Sequence, residues 1–509
     1  MKRVTELKMV EGEYWWGGAV SDGIYMPFGT ETFARELNPN LTPNQAAPIL
    51  ISSKGRFAWS EDRLRFEFKD DSLFLEGGAA DIEIEDGYES LRGAYRAIQA
   101  KKFPAKGQIP DESMFTHPQY NTWIELMYDQ EQHRIIKYAE SIVSNGMPPG
   151  LLMIDDNWQE DYGAWDFHPG RFENPRRMVE RLHELGFKVM LWTCPFVSPD
   201  SAVFRELSRL GYLIKNEDGT VAIREWWNGF SALLDLTNLA ANEWFEAQLN
   251  RLKDQYGIDG FKFDGGDPMY YRDSDQCAAR TTANGHCEAY ARIGLKYPLN
   301  EYRACWKLAG EPLAQRLCDK AHSWGEDGLA SLIPNGLSQG LMGYAFTCPD
   351  MIGGGEYMNF LANSDHLDEE LFVRYAQCAA LFPMMQFSAA PWRVLNKEHF
   401  GYCVEAAKLH TEFGTLIVEL ANHAAMTGEP IMRHMAYEFA DGNFEEVNDQ
   451  FMLGREVLVA PVITKGAEER TIRFPVGIWC GDDGSVVQGP CETMVKAPLS
   501  RLPWYRREA

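Results

Sequence analysis

The sequence predicts a (β/α)8 barrel flanked by two β-rich domains, and three observations carry that prediction. The middle of the chain alternates short apolar runs with helical patterns. Those runs end in polar residues, often carboxylates, as barrel strands do at their C-terminal ends. The two ends of the chain show strand patterns with no helices between them. The clearest run is Gly257 to Asp267. Phe261 and Phe263 alternate with Lys262 over a length too short for a helix. Asp264 follows at once, and Gly265-Gly266 open the chain into a loop. A carboxylate at a strand tip beside glycines is how barrel enzymes present a catalytic group. The rival reading is an Asx-turn in which Asp264 only satisfies nearby amides.

Residues 1–112 read as a β-sandwich. Arg65-Phe66-Glu67-Phe68 alternates, and Lys69-Asp70-Asp71 marks a turn before Leu73-Phe74-Leu75. Ala80 to Glu85 alternates with one face apolar. Phe103 to Pro110 reads as a linker. Residues 113–436 carry the barrel. Leu151 to Ile154 is an apolar run ending in Asp155-Asp156-Asn157-Trp158. A helix follows from Pro175, with Met178, Leu182 and Leu185 at helical spacing and Gly186 as its stop. Phe187 to Trp192 is the next strand, and helical stretches Ala202–Leu210 and Ala241–Tyr256 lead to the Asp264 strand. Later strand tips are expected at Tyr302–Trp306, Tyr344–Asp350, Met384–Ser388 and Pro430–Arg433. An open doubly wound sheet is the competing topology, but no Gly-rich phosphate loop supports it. Residues 437–509 return to strands, such as Val457–Val462 and Glu469–Pro475, and read as a second sandwich.

The chain has 509 residues, 49 basic and 74 acidic, for a net charge of −25. That balance argues against nucleic-acid and anionic-membrane partners, which favour basic surfaces. The first residues lack the apolar stretch of a signal peptide, and no apolar run approaches a membrane span. Ten scattered cysteines without a C-x-x-C pair read as reduced thiols, so the cytoplasm is the expected compartment and a zinc site is not. No cofactor is expected. Symmetric homo-oligomers are common among soluble enzymes, and the sequence leaves that state open.

Carboxylates recur at the expected strand tips or in the loops after them: Asp155, Asp156, Asp264, Asp267, Asp327 and Asp350. Trp158, Trp192, Trp226, Trp227 and Trp324 accompany them. Two carboxylates facing one bond between aromatic walls is the chemistry of glycoside hydrolysis. Neither a Gly-x-Ser-x-Gly elbow nor a His-Glu-x-x-His pair is present. A cation held by clustered aspartates is possible, but no spacing enforces a ligand count.

Several motifs taken together resemble glycoside hydrolase family 31, the retaining α-glycosidases. They are Phe261-Lys262-Phe263-Asp264, Ser323 to Leu329, Pro349-Asp350-Met351-Ile352-Gly353-Gly354, Phe451-Met452-Leu453-Gly454, Val459-Ala460-Pro461-Val462 and Pro475 to Trp479. The branch it looks most like is the myogenesis-regulating glycosidase type, whose activity is α-galactosidase. The resemblance implies Asp264 as nucleophile and Asp327, in the loop around Trp324, as acid/base. It implies that Asp155 binds a sugar hydroxyl. Ile154 to Trp158 is similar to the galactose-binding strand tip of α-galactosidases in families 27 and 36, so Asp155 and Asp156 together would grip the axial 4-hydroxyl and the 6-hydroxyl. Adjacent strand residues normally point apart, so both serve only if the chain bends there; otherwise Asp156 is structural.

Lys262, two residues before Asp264, shares its side of the strand and would keep it ionised and donate to a sugar hydroxyl; a solvated charge on an edge strand is the alternative. Arg303 and Arg316 are the candidate sugar-binding arginines, although their spacing to Asp327 exceeds the family pattern; a buried ion-pair role is the alternative. Trp192 and one of Trp226 and Trp227 are expected to wall the first subsite, with Trp227 the choice. Asp350 is expected to orient the site from behind, and Asp267 either does the same or caps a helix. The Trp-rich stretch Tyr14 to Gly18, with Asp22, is a candidate to reach over the site. The family's α-glucosidases typically carry a His after the strand that here ends Gln386-Phe387-Ser388, and this chain has none there.

These readings favour an exo-acting retaining α-glycosidase for an oligosaccharide or glycoside, with α-galactoside ahead of α-glucoside. A transglycosidase using the same carboxylates and a catalytically silent carbohydrate-binding homologue are the alternatives.

Overall fold

The computed structural model describes residues 4–78 and 81–508. At the N-terminal end, Val4–Lys8, Ser72–Gly77, Leu64–Lys69 and Phe33–Glu36 pair as one antiparallel sheet. Trp15–Ala19, Ala46–Ser52, Phe57–Trp59 and Glu83–Glu85 form a second. Alternation places Leu64, Phe66 and Phe68 in the core and leaves Arg65 and Glu67 at the surface. Of the strand expected over Ala80 to Glu85, Glu83–Glu85 forms, and Ala80 lies outside the described residues. Residues 91–102, expected to be part of the β-sandwich, are helical. Ser90 caps this helix by accepting from the Gly93 amide, and Leu91, Tyr95 and Ile98 are buried at helical spacing.

The barrel has eight parallel strands: β1 (Gln119–Asn121), β2 (Leu151–Ile154), β3 (Lys188–Thr193), β4 (Gly260–Phe263), β5 (Asn300–Tyr302), β6 (Gln315–Arg316), β7 (Thr347–Cys348) and β8 (Gln386–Phe387). β1 to β7 pair successively in chain order, and β8 returns to pair with β1. The seam between β7 and β8 has no ladder of its own; the Ile352 amide donates to the Gln386 carbonyl across it at 2.9 Å. β2 and β4 are buried on both faces, as parallel strands under helices must be. Phe263 stacks on Tyr302 of β5 with ring centres 4.8 Å apart, a pair contributing about 0.5–1.5 kcal/mol beyond its area burial.

Between β5 and β6 no helix forms. The ladder there is one residue pair, Tyr302 with Gln315. Two side chains from the N-terminal region close this weak seam. Asn44 donates to the Arg303 and Arg316 carbonyls and accepts from the Cys318 amide. Gln45 donates to the same two carbonyls at 2.8 and 2.9 Å. Both side chains are fully buried.

Pro430 to Arg433, expected as a barrel strand tip, belongs to the C-terminal sheet instead: Met432–Arg433 runs antiparallel to Phe451–Leu453. That six-stranded sheet is built on the long hairpin Glu469–Gly481 and Val486–Lys496. All ten cysteines are free. Among the described residues no helix is long and apolar enough to cross a membrane.

Candidate active site

A cavity of about 400 Å³ opens at the C-terminal ends of the barrel strands, where the fold places its chemistry. Asp264 follows β4 directly. Its amide donates to the Thr193 carbonyl, and the next two residues, Gly265 and Gly266, have φ of +66° and +70°. A Cβ on Gly266 would lie 2.5 Å from the Tyr290 ring. The Tyr290 hydroxyl in turn donates to the Asp264 carbonyl at 3.1 Å. Glycine is therefore required here by both conformation and space.

The Asp264 carboxylate is surrounded by donors. Oδ1 accepts from the Gly265 amide at 2.8 Å and from Arg303 Nε at 3.1 Å. Oδ2 accepts from Trp192 Nε1 at 3.1 Å, and Lys262 Nζ is 3.8 Å away. Burial opposes its charge, but Arg303, Lys262, Arg316 and the Gly265 amide outweigh burial and hold the carboxyl well below the usual range. Lys262 also bonds Asp155 Oδ2 at 2.7 Å. Burial disfavours the ammonium, yet the charges of Asp155, Asp264 and Glu301 keep its affinity for a proton above the ordinary value.

Arg303 reaches Asp264, grips Asp267 with two bonds of 2.8 Å, and donates to the Pro43 carbonyl. Asp267 lines the cavity and makes no cap bond to the short turn after it, so its partner is Arg303. Arg303 also lies over the Trp227 ring at 5.6 Å. Trp192 and Trp227 both line the cavity. Trp226 points the other way along its hairpin and stacks on Phe196 at 4.0 Å.

Asp155 and Asp156 also both line the cavity. The strand ends at Ile154, and Asn157 takes a left-handed φ of +74°. The chain bends, so the alternation that would separate the two carboxylates does not apply. Tyr162 and Asn228 donate to Asp156, while burial and the Asp155 charge push its carboxyl up to about 7.

The second expected carboxylate is elsewhere. Asp327 does not line the cavity; it is exposed, and its carboxylate accepts from the Ser323 hydroxyl within a surface turn. Trp324 bonds Asp368 and also stays out of the cavity. The acid that lines the cavity beyond β6 is Asp319. It accepts from Arg316 Nη1 at 2.8 Å, and the same nitrogen donates to Asp350 at 2.8 Å. Arg316 is buried inside the barrel and does not touch the cavity, so it holds carboxylates in place of sugar. Asp350 is fully buried and accepts from the Lys320 and Gly355 amides. Burial and the Asp319 charge push the Asp350 carboxyl up to about 7.

Glu301, which sequence reasoning missed, sits inside the barrel against Arg316 at 3.2 Å and accepts from Gln386. Its place on a three-residue strand, Asn300–Tyr302, too short to show a period, gave no signal. The Trp-rich N-terminal stretch does not reach the site: Trp16 packs edge-on against His434, and Asp22 pairs with Arg35. No histidine lines the cavity. Among the described residues, no group of three or more His, Cys, Asp or Glu could hold a metal ion.

Comparison with known proteins gives the family. Residues 112–316 match the glycosyl hydrolases family 31 TIM-barrel domain, and residues 428–509 match the family's C-terminal domain. The chain is 33% identical over 394 residues to the myogenesis-regulating glycosidase of Mus musculus, covering 76% of this chain and 55% of that protein. It is 25% identical over 414 residues to α-glucosidase 2 of Bacillus thermoamyloliquefaciens, covering 75% and 51%. The chain thus spans about half the length of the curated relatives it matches. A family 31 dextranase from Flavobacterium johnsoniae, complexed with glucose, shares the fold with a TM-score of 0.86 at 20% identity, over 99% of this chain and 66% of that one. With its barrel and its C-terminal domain both matched, the chain belongs to glycoside hydrolase family 31.

Proposed function

We propose that this protein is a retaining exo-α-glycosidase acting on terminal α-galactosides, with Asp264 as nucleophile and Asp319, in place of Asp327, as acid/base. The observation that carries the reading is that Asp264 and Asp319 line one cavity, Asp264 buried among donors at the tip of β4 and Asp319 partly exposed in the loop after β6. Asp264 is held as the anion, as a nucleophile requires. Asp319 sits at the open side, 39% exposed at its side chain, where a departing group can reach it, and its hydrogen-bond donor is the Arg316 guanidinium. As acid/base, Asp319 must carry a proton when the glycosidic bond breaks.

In the first step a carboxylate oxygen of Asp264 attacks the anomeric carbon. The glycosidic C–O bond breaks, and the departing oxygen takes the Asp319 proton. In the second step water gives a proton to Asp319 and displaces Asp264, restoring both groups and the configuration. The cavity lining sets Asp155, Asp156, Asp264 and Asp267 against Lys262 and Arg303. That surplus of carboxylates suits an oxocarbenium-like transition state.

The galactoside preference rests on Asp155 and Asp156, two acceptors side by side on the cavity wall, able to take an axial 4-hydroxyl and a 6-hydroxyl. The test is hydrolysis of para-nitrophenyl α-galactoside and α-glucoside, with Asp264→Asn as control and the first-formed anomer read by NMR. Release of α-galactose by wild type alone is expected. Release from the glucoside only, or a first-formed β-anomer, contradicts the reading.

A further inference from the structure

The cavity changes character from floor to mouth. Its floor is polar and buried: Asp155, Asp156, Lys262, Asp264 and Asp267 are all less than a tenth exposed. Its mouth is apolar and open. Leu41 is 67% exposed, Met269 58%, Trp227 47% and Tyr128 41%, and all four line the cavity. Large apolar side chains grouped and exposed around one opening mark a binding surface rather than chance exposure. They come from separate parts of the chain: Leu41 from the N-terminal region, Tyr128 after β1, Trp227 from the hairpin after β3, Met269 after Asp264.

Several polar groups near this level are already engaged. The Glu356 carboxylate accepts from the Met358 and Asn359 amides at the start of the helix Tyr357–Asn363. Asn228 donates to Asp156. Asp319 is reserved for proton transfer in the reading above. Trp227 and Tyr128 offer flat faces on which an aryl or alkyl group packs as well as a sugar ring does, and the two most exposed residues of the mouth, Leu41 and Met269, offer the hydroxyls of a second sugar no partner.

We infer that the outer subsite takes an apolar aglycone, aryl or aliphatic, so that the substrates are soluble glycosides of hydrophobic alcohols or phenols rather than oligosaccharides. This rests on the proposed glycosidase reading but not on the identity of the sugar. The net charge of −25 disfavours anionic membranes, and the source committed to is a soluble amphiphile rather than a membrane glycolipid.

The test is calorimetric binding to Asp264→Asn of methyl, n-octyl and glucosyl α-glycosides, each built on galactose, glucose and xylose. The octyl compound is expected to bind at least tenfold more tightly than the methyl one, and the glucosyl compound no more tightly than methyl. Leu41→Gln with Met269→Gln is expected to erase the octyl gain. Equal octyl and methyl affinity, or a tenfold gain from the glucosyl aglycone, overturns the inference. If the octyl gain appears on glucose or xylose but galactosides do not bind, the galactoside reading fails and this one stands. Failure of every glycoside to bind overturns both. Co-sedimentation with neutral vesicles carrying a glycolipid of the preferred sugar would overturn the soluble source.

Discussion

Replacing Asp319 and Asp327 separately by Ala distinguishes two assignments of the acid/base. Asp319 lines the cavity, is 39% exposed at its side chain and has one charged donor, Arg316. Removing it leaves Arg316 with Glu301 and Asp350, so the fold loses at most about 1 kcal/mol, the scale of a partly exposed ion pair. Catalysis loses far more, because positioned general acids contribute about 10²–10⁴-fold. The loss depends on the leaving group. Glycosides of ordinary alcohols need the proton and are expected to lose about 10³-fold or more; a dinitrophenyl glycoside leaves as a stable anion and should lose less than about tenfold. Azide should restore part of the Asp319→Ala rate by taking the place of water. Asp327 is exposed and bonded to one hydroxyl, so Asp327→Ala should keep kcat/KM within about threefold for every leaving group. The assay is kcat/KM across a series of aryl and alkyl glycosides, with Tm as a check on folding. A steep leaving-group dependence in Asp327→Ala, with a flat one in Asp319→Ala, would refute the reasoning.

Four further outcomes are expected. Gly266→Ala should cost about 2–5 kcal/mol, from about 1–2 for its left-handed φ and about 1–3 for the contact with Tyr290, seen as a lowered Tm; an unchanged Tm would contradict the packing argument. Asn44→Ala should lower stability by about 1–3 kcal/mol, because the Cys318 amide loses its acceptor and the Arg303 and Arg316 carbonyls keep Gln45 alone, and should lower kcat by displacing Arg303 and Arg316; normal kcat would show the seam closes without it. Arg303→Met removes the first charge that holds Asp264 anionic, so the acid limb of kcat/KM should move to higher pH; an unmoved limb would assign that role to Lys262. For Asp156 the sign runs the opposite way. Its folded carboxyl is raised to about 7, so its contribution to stability falls as pH rises from the unfolded carboxylate range, about 4, through 7. The Tm of Asp156→Asn relative to wild type should therefore be higher at pH 8 than at pH 5, and a pH-independent difference would contradict the assignment.

Much of the fold was legible because its strands obey local rules. Phe261 to Asp264 announced itself through a short apolar run, an acid and two glycines. β6 did not, because two residues, Gln315 and Arg316, carry no period, and no helix follows β5 to signal a crossover. The helix Leu91–Lys102 had the spacing of Leu91, Tyr95 and Ile98 to reveal it, and the surrounding strand patterns masked that signal. Pro430 to Arg433 has a strand's composition, and only long-range pairing decides which sheet it joins. Asp319 and Asp327 differ by eight positions in one acidic loop, and sequence does not show which carboxylate turns inward. The clue was the arginine: Arg316 reaches an acid three residues on, and that acid is Asp319. Asp155 and Asp156 lay at the edge of a rule, since strand alternation fails where Asn157 adopts a left-handed φ.

The central claim is that Asp264 attacks the sugar. Trapping the enzyme with a 5-fluoro α-galactosyl fluoride, followed by proteolysis and mass spectrometry, tests it most directly. One added glycosyl mass on the peptide spanning Gly260 to Asp267, localised to Asp264, is the predicted result. An adduct on Asp319 or Asp155, or steady inhibition with no covalent mass on any peptide, would contradict it.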